Sequence, residues 1–318
     1  MQKIKIQMGI NVIFIILLVS MSCCQRNDSD EPDPVEIQFP VTPSELVQGK
    51  FNRCEGIAFN GEDDLYVSGD RSLWRVDTQG EVTRIADAYS NLGLAPVGDR
   101  DILFADFGPT NAFDHGANRD GIVWRITPEG DKSVAASGMG DPNFILVLEN
   151  GSFLVSDDAT DEVFIVDEDG SVEIFTQLIN HPNGMVLSMD GTRLYIAQMF
   201  KSINPIVTDG RLWALELENN AVIGDPEMVA NLGDSAANDG LAMDIRGRIY
   251  IAAWGTGQIW RLEPLTSELV LIAENMPGVA SLAFGQGDFD HRAIYATSTL
   301  RGIVWRIDVG IEGAPLFH

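Results

Sequence analysis

The sequence predicts an all-β fold, a six-bladed β-propeller with four-stranded antiparallel blades. Two observations carry that expectation. The first is an aromatic marker that recurs in β-rich runs: Trp74 in "SLWRVD", Trp124 in "GIVWRIT", Phe164 in "EVFIVD", Trp213 in "GRLWALE", Trp260 in "GQIWRLE" and Trp305 in "GIVWRID". Successive markers are 50, 40, 49, 47 and 45 residues apart, which matches the length of a propeller blade. The second is a constant order of parts within each unit, from a short apolar run to a polar outer one.

The first strand of a unit is apolar, as in "GIAF", "NFILVL", "GMVLSM" and "GLAMDI". A turn follows: "NGEDD", "ENG", "MDG" or "IRG". The second strand is rich in aromatic and β-branched residues ("LYVSG", "FLVSD", "LYIAQ", "IYIAA"), as a half-buried pleated surface requires. The marked strand comes third. Its tryptophan is expected to pack blade against blade rather than to bind sugar. The fourth is polar, as in "EVTRIAD" and "SVEIFTQ". Closing six units into a ring removes exposed sheet edges. Either the tail "IEGAPLFH" or the segment from Phe39 to Val47 is expected to complete one blade.

The N-terminus does not belong to this pattern. Lys3 and Lys5 precede an apolar run from Ile10 to Met21, too short and wrongly flanked for a stable spanning helix. Residues 1–22 therefore read as a secretory signal. Small Ser22 before Cys23 resembles a bacterial lipoprotein signal, which makes Cys23 the lipid-anchored N-terminus of the mature chain. The alternative is ordinary secretion with a free Cys23. Residues 23–46, rich in Asp and Pro, read as a flexible acidic tether, and 47–318 as the propeller. The resulting expectation is an exported monomer, anchored to a bacterial membrane through lipid alone.

The chain carries a formal charge of −26, and loss of residues 1–22 removes two lysines and no acid, giving −28. Such a surface repels nucleic acid and anionic lipid and favours cations. Three cysteines make no disulfide framework; Cys54 reads as a small buried thiol.

"HPNGMVLSMDGTRLYIAQ" holds two Asx-Gly pairs, Asn183-Gly184 and Asp190-Gly191, on either side of one inner strand. Six residues at about 3.3 Å each separate the two pairs by roughly 20 Å. Asp190-Gly191 is then a tight turn on the far face, like Asn60-Gly61, Asn150-Gly151 and Arg246-Gly247. Asn183 marks the other end, where inner strands enter the central channel. The corresponding residues of the six blades read as Glu55, Asn91, Asn143, Asn183, Asp239 and Ser281. Apolar residues are the default there, and polar ones are costly to bury without a partner. An oxygen-only set with two carboxylates suits a hard cation, Ca²⁺ before Mg²⁺.

These stretches resemble the gluconolactonase, regucalcin and senescence-marker-type (SGL) six-bladed propellers. "CEGIAF" is similar to the family's first-blade Glu-Gly segment, "HPNGMVLSMDGTRLYIA" to its fourth-blade Pro-Asn-Gly segment and "NDGLAMDIRGRIYIAAWGTGQIWRLEP" to its fifth-blade Asp-Gly segment. The resemblance implies metal ligands at Glu55, Asn183 and Asp239, with Asn143 as the third-blade ligand and Asn91 as its competitor. Asp141 stands where the sugar-lactone enzymes tend to carry arginine, and Asn238 replaces the usual proline.

The expected activity is a Ca²⁺-dependent hydrolase that opens a lactone or related sugar-derived ester with a metal-activated water. Asp239 is its expected proton acceptor. Loops after the second strands line the pocket, with Asp106, His115, Asp157 and Trp254, beside Asn91, as expected substrate contacts. Two other readings stand beside it. One is a non-catalytic propeller that binds a carbohydrate or other ligand at the cell surface. The other is an elimination enzyme using His115 to abstract a proton.

Overall fold

A computed structural model of the chain describes residues 37–110 and 118–317. The expected signal segment, Cys23, Cys24 and His115 lie outside the described residues. Alternating apolar runs and tight turns form six four-stranded antiparallel sheets and one two-stranded hairpin, with no helix among the described residues. Each sheet is a blade. The inner strands, in blade order, are Cys54–Phe59, Leu94–Val97, Pro142–Val147, Pro182–Leu187, Asn238–Met243 and Val279–Phe284.

The six aromatic markers occupy one register. Trp74, Trp124, Phe164, Trp213, Trp260 and Trp305 all lie on the third strand, opposite Val67, Phe104, Val155, Ile196, Ile251 and Ala296 of the second. In every blade the ladder to the outer strand slips at the marker. Such a bulge bends and twists the outer strand, which wide rings of wedge-shaped sheets need.

Six apolar clusters lie one between each pair of neighbouring blades, and a small seventh joins Ala159 to Phe200 and Ile203. Trp124 packs with Leu73 and Ile85 of blade 1, and Trp213 with Val163 and Phe175 of blade 3, which is the blade-to-blade role expected of the markers. No cluster sits on the axis, so a central channel remains.

Closure comes from the N-terminal side of the chain. Ser44–Val47 is the outer strand of blade 6, with Ser44, Glu45 and Val47 opposite Arg306, Trp305 and Val304. Val41 adds a parallel bridge to Ala273 of blade 5. The folded domain thus begins before residue 47, and the tether expected over 23–46 gives way to ordered chain by Val41, because a blade edge there needs a partner. The C-terminal tail instead lies across the far face, where Ala314 N donates to Met243 O (2.9 Å). Cys54 is fully buried at the closure, 3.3 Å from Ile303 O, and burial pushes its thiol up to about 12, so it is an inert packing group.

The far-face turns need only local chemistry. Asp190 Oδ1 accepts from Ser188 Oγ, Thr192 N and Thr192 Oγ1, and Gly191 takes φ 69°. These bonds hold the Asp190 carboxyl down at about 2.

Val47 is 1% exposed and joins the cluster between blades 6 and 1, whereas Glu45 is exposed. Val47→Ala is expected to cost about 2 kcal/mol in denaturant unfolding, and Glu45→Ala less than about 0.5 kcal/mol.

Candidate functional site

The register of the inner strands defines one position per blade. In blade 1, Cys54 faces Gly69 and Ile57 faces Val67, so Glu55 and Gly56 bulge out of the ladder. The same two-residue bulge follows Pro142, Pro182, Asn238 and Val279. Its first residue is Asn143, Asn183, Asp239 and Ala280 in turn. Blade 2 has a regular ladder in which Leu94, opposite Phe104, is the counterpart of Ile57. The equivalent position there is Leu92. The ring therefore reads Glu55, Leu92, Asn143, Asn183, Asp239 and Ala280.

Two expected members are displaced from it. Asn91 lies one residue before the ring, and its Oδ1 accepts from Arg71 N (3.2 Å) at the turn of blade 1. Ser281 lies one residue after, where the other blades carry Gly56, Gly93, Phe144, Gly184 and Gly240. Among the two third-blade alternatives, Asn143 holds the ring position.

The glycines show how closely the strands converge. A Cβ on Gly184 would sit 2.4 Å from Asp239 O, and one on Gly56 2.1 Å from Leu92 O. Asn183-Gly184 is thus a different device from Asp190-Gly191. Its glycine lets neighbouring inner strands touch, which brings Asn183 beside Asp239.

Two of the six side chains at this level are carboxylates and two are amides, and Glu55 is half-buried. Asp239, Asn183 and Asn143 are 4%, 1% and 5% exposed. Burial and the nearby Asp239 hold the Glu55 carboxyl well above its usual range, while a hydrogen bond from Asn143 pulls the other way. Burial raises Asp239 as well. The Asn183 amide donates through Nδ2 to Met199 Sδ (3.5 Å), and its Oδ1 has no hydrogen-bond partner although it is inaccessible to solvent.

Sequence reasoning missed Asp158. It lies just past the Phe153–Asp157 strand, buried, and its Oδ2 accepts from Asn143 Nδ2 (3.0 Å) while Oδ1 lacks a partner. Burial raises its pKa first, then the negative charges of Asp157, Glu55, Asp141 and Asp239. It follows the second strand in register with Met199 of blade 4 and Trp254 of blade 5, and nothing in the sequence distinguishes it from its neighbour Asp157 as the carboxylate that reaches Asn143. His181 Nδ1 contacts Asp158 O (2.9 Å), which helps to hold the segment that carries Asp158.

The expected pocket walls divide. Asp106 is fully buried and accepts from Tyr89 N, Ser90 N, Ser90 Oγ and Trp124 Nε1. It fastens the loop of its own blade and presents no face to a substrate. Asp157 is also fully buried, accepting from Gly140 N and Ala159 N, and burial lifts it to about 6. It too is a post for a loop and not a wall. Trp254 is half-buried, bonded through Nε1 to Thr299 Oγ1 (2.6 Å), and lines a surface pocket of about 420 Å³ with Gln258, Glu274 and Asn275. The long loop after blade 4's second strand forms the hairpin Phe200–Ile203 and Ile206–Thr208, which packs on Ala159 beside Asp158.

Among the described residues, no three His, Cys, Asp or Glu side chains alone make a metal cage. The ring instead joins two carboxylates to two amides. Its donors fit a hard divalent cation in three respects. They are oxygen-bearing, two carboxylates balance the charge, and the orphaned Asn183 Oδ1 needs a partner.

Comparison with known proteins adds the following. The profile of the SMP-30/gluconolactonase/LRE-like region matches residues 42–300. A pentonolactonase of Haloferax volcanii is 26% identical over 183 residues, which cover 51% of this chain and 59% of that relative. A calcium-binding protein, regucalcin, from Agrobacterium tumefaciens superposes with a TM-score of 0.69 at 20% identity, over 88% of this chain and 97% of that one. A gluconolactonase from Xanthomonas campestris gives 0.65 at 18%, over 83% and 88%. At these identities the two structures show likeness of fold.

Two outcomes follow from the geometry. Gly184→Ala forces a methyl group against backbone and is expected to cost about 1–3 kcal/mol in chemical denaturation. The raised carboxyls bear on pH dependence. The folded, metal-free protein holds protons that the unfolded chain, with ordinary carboxyls near 4, has released. Its stability should fall as pH rises from about 4 through the raised values, near 6 for Asp157. Denaturation of chelator-treated protein between pH 4 and 7 reads this directly; a flat or rising profile contradicts it.

Proposed function

The chain belongs to the SMP-30/gluconolactonase/LRE-like family, and we propose that it is a lactone hydrolase that works with a divalent cation, Ca²⁺ before Mg²⁺. The observation that carries this reading is the shared bulge. It sets Glu55, Asn143, Asn183 and Asp239 at one level of the axis, with raised carboxyls and an unpartnered amide oxygen among them. Those four residues would hold the cation. Bound there, it supplies a Lewis acid for the lactone carbonyl and acidifies a water.

The protein's own groups do the rest. Asp239 accepts a proton from the attacking water as the water oxygen bonds to the acyl carbon. It returns that proton to the ring oxygen when the acyl–oxygen bond breaks, leaving an open hydroxy acid. Asn143 is held by Asp158, so its amide does not need to be ordered when substrate arrives. Close packing of the inner strands fixes Asp239 against Asn183, and such preorganisation is what positioning catalysis requires. The substrate class is a small lactone derived from a sugar, in line with the lactonase names of the relatives.

We also keep export and lipid anchoring through Cys23 as part of this proposal. It is supported by Lys3, Lys5 and the apolar run that ends before Ser22. Mass spectrometry of the membrane fraction, looking for an acylated Cys23, tests it.

Turnover on a panel of aldonolactones, with and without chelator, tests the central reading. Hydrolysis that chelator abolishes and Ca²⁺ restores is expected. Asp239→Asn should lower kcat by about 100-fold or more and weaken Ca²⁺ binding in calorimetry. Wild-type rates in that variant would remove Asp239 from the reaction. Binding of sugars without turnover would favour a purely ligand-binding propeller.

A further inference from the structure

The oxygen ring is only one end of the axis. Directly below it, one apolar residue per blade occupies the next equivalent register: Ile57, Leu94, Ile145, Met185, Leu241 and Leu282. All six line a cavity of about 610 Å³ that runs down the channel to the far face. That volume is in the range of small-molecule sites. Each of the six also belongs to one of the blade-to-blade clusters, so the cavity is walled by the inner edges of those clusters.

The mouth has the same character. Met189, Ile245, Leu316 and Phe317 are 55%, 49%, 46% and 42% exposed, and all four border this opening. Scattered exposed apolar residues need no explanation, but a rim of them around a cavity marks a binding surface. One wall is the C-terminal tail, held by the Asp244–Gly313 bridge and by Ile245 N donating to Glu312 O (3.1 Å). The cavity's ionisable lining residues are His291 and Glu312 alone, both beside the mouth. His291 Nε2 is engaged with Gly287 O (2.9 Å).

We infer that the far half of the channel is a second binding site, distinct from the lactone site, for one neutral single-chain aliphatic amphiphile. Its chain lies against the six apolar side chains and its polar head stays at the mouth. The one buried polar side chain in the lining is the Ser281 hydroxyl, and a single hydroxyl does not repay the lost hydration of a charged or hydroxyl-rich ligand, so the walls select against both. Glu312 at the mouth and a net charge of −26 select against an anionic head. Methionines at three levels, Met185, Met189 and Met243, let the walls adapt to a flexible chain.

The test is fluorescence titration of the full chain with the uncharged dye N-phenyl-1-naphthylamine, followed by displacement with decan-1-ol and with decanoate. Saturable binding at one site is expected. Decan-1-ol should displace the dye at least tenfold more effectively than decanoate, and chelation of metal should leave binding unchanged. Leu187 lines the same cavity at the end of the Pro182–Leu187 strand, and Leu187→Trp, which narrows the channel, should weaken dye binding at least tenfold. Met189→Arg at the exposed rim should weaken it as well, with an unfolding temperature like that of the parent. The inference is overturned if the dye does not saturate. Unchanged affinity in a folded Leu187→Trp or Met189→Arg protein also overturns it, as does equal displacement by decanoate or loss of binding on chelation.

Discussion

A two-residue bulge at the start of the inner strand is the feature on which the polar end of the molecule depends. In five of the six blades the ladder between the first two strands skips two residues at the same place. A bulge re-aims side chains that a regular ladder would send to a neighbouring blade. Because the blades are related by rotation, one local irregularity, repeated, gathers Glu55, Asn143, Asn183 and Asp239 from distant parts of the sequence. The glycine after the bulge, in blades 1, 4 and 5, completes the device by letting adjacent strands meet at backbone distance.

That arrangement is unfavourable by itself. Buried carboxyls that face one another resist ionisation, and an inaccessible amide oxygen without a partner loses the hydration it had in the unfolded chain. Folded proteins keep such groups where a ligand repays the cost. Asp158 adds to the same imbalance, since it approaches Asn143 and feels the charges of Glu55 and Asp239. The apolar ring one register lower shows that the fold does not require polar residues on its axis, so their presence above calls for a chemical reason.

Much of this was legible in the sequence, and for identifiable reasons. Periodic tryptophans and turn residues report the blades because each blade must solve the same packing problem. The Asx-Gly and Glu-Gly pairs report the bulge wherever the strand approach demands glycine. Where a blade departs from that cue the reading slips. Blade 6 carries Ala280-Ser281 in place of a polar residue and glycine, so its serine, one residue past the ring position, mimics a ring residue. Blade 2 carries Leu92-Gly93 with an asparagine just before, so Asn91 looked like the ring residue although it serves a turn. Asp106 and Asp157 stand at strand ends on the ring's side of the disc and looked like pocket walls. Composition does not reveal that their carboxylates turn back to backbone N–H groups of their own blades. The closing strand was ambiguous for a related reason, since either chain end could have supplied a short strand.

The most direct measurement is anomalous scattering from crystals grown with calcium. A single strong peak is predicted on the axis, with oxygens of Glu55, Asn143, Asn183 and Asp239 at about 2.3–2.6 Å from it. An axis without anomalous density at that level, or calcium bound elsewhere while these four side chains hydrogen-bond one another, would contradict the account.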